Sequence, residues 1–366
     1  MRTHPDGTTT PVIDTSVHIF FTSNKDMRSF LREPFKSRGI PDAEMDWYGA
    51  PGGEYAPGTG GPGRGYPGSD PELVAQQLFV DRGVDVAVLH PMTRGILPDR
   101  HLTSAVLAAH NQMMVSRWLE SAEFGDRFRG TIRINPEDVT GALREIDRWK
   151  DHPRVVQLGI PLQSRELYGK PQFWPIWEAA ADANLPVAVH IETGESIAFP
   201  PTPSGHARTY EQYLGFMDLN YIYHLMNMIA EGVFERIPGL KFVWADGGAD
   251  LLTPFIWRMD TFGRPHLEQT PWAPRMPSDY LPDHVYFVQS GIDGPGNTDF
   301  AGEWFGFTGK DDMVMFGSSY PHWHSNSLEA LPDSLSIGQR EKLCWQNAAS
   351  IYGIDVSAAL ATPEPA

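Results

Sequence analysis

Apolar residues in this chain fall in short runs, and most of the runs end on a polar or ionisable side chain. Eight stand out: PVIDTSVHI (11–19), VDVAVLH (84–90), FRGTIRI (128–134), RVVQLGI (154–160), LPVAVHI (185–191), LKFVWAD (240–246), HVYFVQS (284–290) and DMVMFGS (312–318). Their shortness and their content of Val, Ile and Phe predict buried β-strands. Between them the polar and apolar positions follow a helical period over Pro71–Arg82, Leu102–Ala122, Val139–Lys150, Phe173–Ala183, Tyr210–Arg236, Ala249–Phe262 and Ser334–Tyr352, and weakly over Thr298–Phe305. Strand and helix in strict alternation call for a parallel sheet of the α/β class, and eight repeats suggest closure into a (β/α)8 TIM barrel. A doubly wound open sheet is the structural alternative, but no Gly-x-Gly-x-x-Gly follows any strand.

In a barrel all strand C-termini open on one face. His18, His90, His190, Asp246, Ser290 and Ser318–Ser319, far apart in sequence, are therefore expected to converge. One stretch breaks the alternation. Residues 49–68, GAPGGEYAPGTGGPGRGYPG, have no period and lie in a Gly/Pro-rich insertion (38–70) after strand 1. The insertion reads either as a flexible loop or as a lid or subunit-contact arm, with Tyr55 and Tyr66 available for stacking. The rest of 1–366 reads as one barrel domain, with 354–366 as a flexible tail.

Composition narrows the function. Hydrophobic residues at 41% and charged ones at 20% suit a soluble enzyme with ample core. A formal charge of −17 argues against nucleic acid, which requires clustered Lys and Arg. Cys344 is the single cysteine, so no internal disulfide forms; the start lacks the apolar core of a signal peptide, and no run is long enough to span a membrane. The cytoplasm is the simplest compartment. Nucleophilic hydrolysis is disfavoured, because there is no Gly-x-Ser-x-Gly elbow and Cys344 lies in a C-terminal helix.

The segments VIDTSVH, VAVHIETG, GVFERIPGLKFVWADGGADLLTPFIWRMD, DMVMFGSSYPHWHSN and REKLCWQNAASIYGI together resemble the amidohydrolase-related family, which contains the aminocarboxymuconate semialdehyde decarboxylase type and many metal-dependent hydrolases. The likeness runs from about residue 12 to 353 and implies one divalent ion, zinc above all, with manganese or iron as alternatives. Transferred residue by residue, it implies metal ligation by His18 and His190 and an acid or base role for Asp246. Ser16 stands where the family places a first His or Asp, and Ser319 where it places the strand-8 aspartate. A hydroxyl is a poor ligand beside imidazole, and the missing carboxylate removes balancing charge. His322 and His324, one residue apart in SSYPHWHSN, are candidate replacement ligands. Glu192 shares the face of His190 in an extended strand, His90 could line the pocket, and His224 reads as a structural mid-helix residue.

Three readings follow from the resemblance. In the first, the two serines mark a depleted metal site in a subunit that partners a catalytically complete homologous barrel, as in a two-component oxygenase such as 2-aminoisobutyrate hydroxylase. In the second, the chain is itself a mononuclear zinc hydrolase or non-oxidative decarboxylase of a small carboxylate. In the third it is a metal-free ligand-binding barrel. The first two expect a homologous partner, in a homo- or hetero-oligomer.

Overall fold

The computed structural model describes residues 2–3, 9–38, 55–61, 63–93, 97, 99–191, 209–245, 247–289, 297–324, 328 and 331–357. Eight strands form one parallel sheet in sequence order: β1 (Ile13–Ile19), β2 (Val86–Pro91), β3 (Phe128–Arg133), β4 (Val155–Pro161), β5 (Val187–His190), β6 (Phe242–Ala245), β7 (Val285–Gln289) and β8 (Val314–Phe316). The chain is a (β/α)8 barrel, as the alternation predicts.

The helices after the strands are α1 (Pro71–Ala75), α2 (Arg100–Met114), α3 (Val139–Trp149), α4 (Trp174–Asp182), α5 (Tyr210–Ala230), α6 (Ala249–Gly263) and α7 (Ala301–Phe307). Their starts are written locally. Asp70, Asp99, Asp138 and Thr209 each accept a hydrogen bond from backbone N–H groups of the first turn of α1, α2, α3 and α5, and Pro71 takes the first position of α1. The long stretch expected over Tyr210–Arg236 divides, because Gly232 adopts a left-handed φ of +70° before a one-turn helix Val233–Arg236. The last expected helix is likewise divided into Ile337–Glu341, a wide π turn and Asn347–Tyr352.

The seam between β1 and β8 closes without a regular ladder. Thr15 Oγ1 donates to the Phe316 carbonyl (2.8 Å), the Ser318 N–H donates to Asp14 Oδ1 (2.8 Å), and the His18 N–H donates to the Tyr320 carbonyl (2.7 Å). Opposite β2, β1 changes register between Asp14 and Val17, which places Ser16 in a bulge.

Apolar residues fill two compartments. One lies between the strands and the helices; the other is the barrel interior, where Ile13, Val86, Val88, Ala188, Val243, Val288 and Met315 meet Ile351, Tyr352, Ile354 and Val356. The C-terminal segment therefore plugs the base of the barrel. Residues 354–357, expected at the start of a flexible tail, instead bury Ile354 and Val356 there. Above the plug Tyr352 Oη donates to Gln157 Oε1 and Gln157 Nε2 donates to Thr131 Oγ1, both at 2.8 Å. That polar layer marks the floor of the mouth. No helix among the described residues is long and apolar enough to cross a membrane.

Candidate functional site

Strand alternation aims His18, His90 and His190 into the same end of the barrel, and the register sets His18 opposite His90. All three are buried. His18 Nε2 lies 2.8 Å from His190 Nε2 and 3.3 Å from Ser16 Oγ. The His190 ring stacks on His90, with centroids 4.2 Å apart and planes 24° from parallel. Arg133, at the end of β3 and fully buried, donates through Nη1 to His90 Nε2 in a short contact and to the Pro91 carbonyl at 3.3 Å. Burial first, and then the neighbouring His190, the Arg133 guanidinium and His18, hold the His90 pKa well below the usual imidazole value.

The tautomers follow from the outer contacts. His190 Nδ1 lies 2.6 Å from the Ile191 carbonyl, so it carries the proton and Nε2 presents a lone pair to the mouth. This is the arrangement that orients a metal-ligating histidine. His18 Nδ1 lies 3.0 Å from His322 Nδ1, on the side of the ring away from His190. His322 is thus placed to hold His18, not to share with it whatever binds at Nε2. His324 bonds Ser319 Oγ at 3.2 Å through Nε2 and stacks on His322, with centroids 5.5 Å apart.

Ser319 sits at a left-handed φ of +58°, a conformation a non-glycine residue rarely adopts, immediately before Tyr320. The hydroxyls of Ser16 and Ser319 are neutral donors at the positions expected to carry charge. Asp246 and Ser290 lie outside the described residues, as does Glu192. Gly247, which follows Asp246, has φ +156°, and a Cβ there would fall 2.4 Å from Asp218 Oδ1 of α5. The carboxyl of Asp218 therefore packs against the turn that leaves β6. Sequence reading passed over Arg133 and Asp218. The first has a signal, a charged residue in step with Thr131 at the end of a strand; the second lies mid-helix and has none.

The remaining candidates are structural. His224 accepts from the Tyr168 N–H through Nδ1 (3.2 Å) and donates from Nε2 to the Leu162 carbonyl (2.9 Å), and burial lowers its pKa to about 4. His110 bonds the Val106 carbonyl of its own helix.

Among the described residues no group of three or more His, Cys, Asp or Glu donors is gathered as a metal site. His18 and His190 supply two imidazole nitrogens 2.8 Å apart, a hydrogen-bond separation from which the rings need part by only about half an ångström to reach the ~3.3 Å of two nitrogens bound at ~2.0–2.1 Å to one tetrahedral ion. The chemistry of this donor pair, together with the outer contacts that fix both rings, fits a divalent cation.

Comparison with known proteins agrees with the architecture. The profile of the amidohydrolase family matches residues 13–354. An amidohydrolase structure from Mycobacterium avium subsp. paratuberculosis K-10 superposes with a TM-score of 0.72 at 18% identity, covering 94% of this chain and 100% of that one. The 5-carboxyvanillate decarboxylase of Sphingomonas paucimobilis gives 0.64 at 19% identity, covering 95% and 100%. A dihydroxybenzoic acid decarboxylase from Polaromonas sp. JS666, with bound manganese and the inhibitor 2-nitroresorcinol, gives 0.64 at 18%, covering 94% and 97%. Among curated proteins none matches the chain in sequence.

Proposed function

The chain belongs to the amidohydrolase family, and from that premise we propose that it is a metal-dependent, non-oxidative decarboxylase of a small, planar carboxylate. The observation that carries the reading is the chemistry of the mouth. His18, His90, His190, His322 and Arg133 bring imidazole and guanidinium together, with only hydroxyls at positions 16 and 319. Such a mouth suits an anion.

The same residues favour decarboxylation over hydrolysis. Hydrolysis needs a base to take a proton from water, and Ser319, at the position the resemblance gives to an aspartate, has no basic oxygen to offer, which would leave that role to His324 or Asp246. Loss of CO2 needs only a cationic sink for electrons and a proton donor. In the proposed site His18 Nε2 and His190 Nε2 would hold one divalent ion, manganese or zinc, with Asp246 as the acid. When bound, the ion supplies Lewis-acid polarisation of a substrate oxygen. The C–CO2⁻ bond breaks, its electron pair stays on the substrate carbon, and Asp246 in its acid form delivers the proton to that carbon. Structures of similar fold that bind manganese or decarboxylate hydroxybenzoates support the choice of ion and substrate class.

The test is release of CO2 from a panel of hydroxylated aromatic carboxylates by Mn²⁺- or Zn²⁺-loaded protein, set beside hydrolysis of matched esters and lactones. CO2 release that is lost with Asp246→Asn is expected; turnover of the esters alone would contradict the reading. A second reading, an accessory barrel paired with a catalytically complete homologue in a hydroxylase-type enzyme, is favoured by the two serines at ligand positions. Stable co-purification with such a homologue, and activity only in its presence, would select it.

A further inference from the structure

The Gly/Pro-rich insertion is seated on the mouth at one defined place. The Ala56 N–H donates to the Pro321 carbonyl (2.9 Å), and Tyr55 forms an antiparallel bridge with His322. The Tyr55 ring stacks on the His322 imidazole, with centroids 5.3 Å apart and planes 25° from parallel, and meets Phe20 edge-on at 5.8 Å. Farther along, the Phe20 N–H donates to the Gly68 carbonyl (3.2 Å) and the Tyr66 N–H to the Thr22 carbonyl (3.3 Å). Gly68, at φ +69°, lies so close to β1 that a Cβ would fall 2.6 Å from the His18 carbonyl oxygen. The segment is thus tied both to the exit of β1, at His18–Thr22, and to the exit of β8, at Pro321–His322.

His322 is the link between this segment and the site. Its Nδ1 faces His18 Nδ1 at 3.0 Å and the Ser319 carbonyl at 3.2 Å, and its ring face is covered by Tyr55. An imidazole held at one edge, and stacked by both Tyr55 and His324, has little freedom to turn. The His18 ring it bonds is correspondingly fixed, with Nε2 toward His190.

We propose that Tyr55 is a positioning residue for the metal site: it holds His322 by stacking, and His322 fixes the ring of His18. The proposal rests on the reading of His18 as a metal ligand given above. It turns the insertion from a loop beside the site into part of its scaffold. The stacked face of the ring supplies the hold. Partners that orient a ligand from outside typically change metal affinity by ~10–100-fold when removed, and Tyr55, one contact farther out, is expected at about the lower end.

The experiment measures Mn²⁺ and Co²⁺ affinity by chelator competition, with the Co²⁺ absorption spectrum, for the full chain and for Tyr55→Phe, Tyr55→Ala, His322→Ala and the double variant. Tyr55→Phe, which keeps the stacked ring, should bind more tightly than Tyr55→Ala. Tyr55→Ala should weaken binding about tenfold and alter the spectrum, and the double variant should be no weaker than His322→Ala alone, because both substitutions break one chain of contacts. Losses that multiply in the double variant, or a Tyr55→Ala spectrum and affinity equal to the wild type, would overturn the proposal. Imidazole ¹⁵N shifts of metal-free protein read the same contact independently. Tyr55→Ala should move the His18 and His322 Nδ1 signals together, and unmoved signals would refute the positioning role even if the wild type bound no metal, a result that would count separately against His18 as a ligand.

Discussion

The two ends of the barrel interior are built from the same strands and differ in almost everything else. At the base, Ile13, Val88, Val243 and Met315 close on Ile351, Ile354 and Val356 with no polar atom among their side chains. A few residues along, the strands end in His18, His90, Arg133 and His190, packed nearly as tightly but through nitrogen. The base gains from removing apolar area from water, about 25 cal/mol per Å². The mouth gathers groups that repel one another when charged and resist burial when they are, so it stands at the expense of the base. The barrel separates stability from chemistry along its axis, and each end can be disturbed with limited effect on the other.

The largest effect should come from the mouth. His18→Ala or His190→Ala is expected to abolish divalent metal binding and with it decarboxylation, while urea unfolding shifts far less than for a base substitution. Equal loss of fold stability would erase the distinction between the two ends. At the base, Ile351→Ala should cost about 2–5 kcal/mol in urea unfolding, as large-to-small core changes do, with metal affinity unchanged in the folded protein. A change in affinity would show that the plug and the mouth are coupled.

Asp14 sharpens the comparison, because it is a carboxyl buried in the seam between β1 and β8. Its Oδ1 accepts from the Ser318 and Ser16 N–H groups, and Oδ2 is buried with no hydrogen-bond partner among the described residues. Burial raises its pKa to about 6, partly opposed by those hydrogen bonds and by the charge of Arg82. The unfolded value is ~3.9. The folded state therefore holds this proton more tightly, and the stability it contributes is full below about pH 4 and lost as pH rises through about 6. Relative to wild type, Asp14→Asn should gain on the order of 2–3 kcal/mol between pH 4 and pH 7, read as the difference in urea unfolding free energies. A pH-independent difference would mean that Asp14 stays charged in the fold. The smallest effect belongs to Trp323, exposed at the rim beside His324. Trp323→Ala should leave stability within about 0.5 kcal/mol, so any change it brings in substrate KM can be assigned to the mouth.

The sequence displays the barrel because period and alternation are local. Eight apolar runs recur, several of them ending at or beside a polar residue, and strand geometry alone sends His18, His90 and His190 to one end. What lies in a particular side-chain direction is less legible. His322 and His324 share a spacing that suits ligation, yet the backbone after β8 turns through Ser319 in a left-handed conformation and brings His322 to the outer nitrogen of His18. Composition marks residues 49–68 as irregular; that Tyr55 stacks on His322 depends on backbone bonds between segments some 260 residues apart, which no local pattern encodes. The buried Ile354 and Val356 escape a reading that takes the end of the periodic helix as the end of the fold.

The proposed function requires that His18 and His190 together hold one divalent ion. Metal content of the purified chain, loaded with Mn²⁺ or Zn²⁺ and dialysed, measures it directly beside His18→Ala and His190→Ala. A single ion per chain is expected in the wild type, and loss of that ion in both variants. Folded wild-type protein that retains no metal, or variants that keep it, would rule out the shared site.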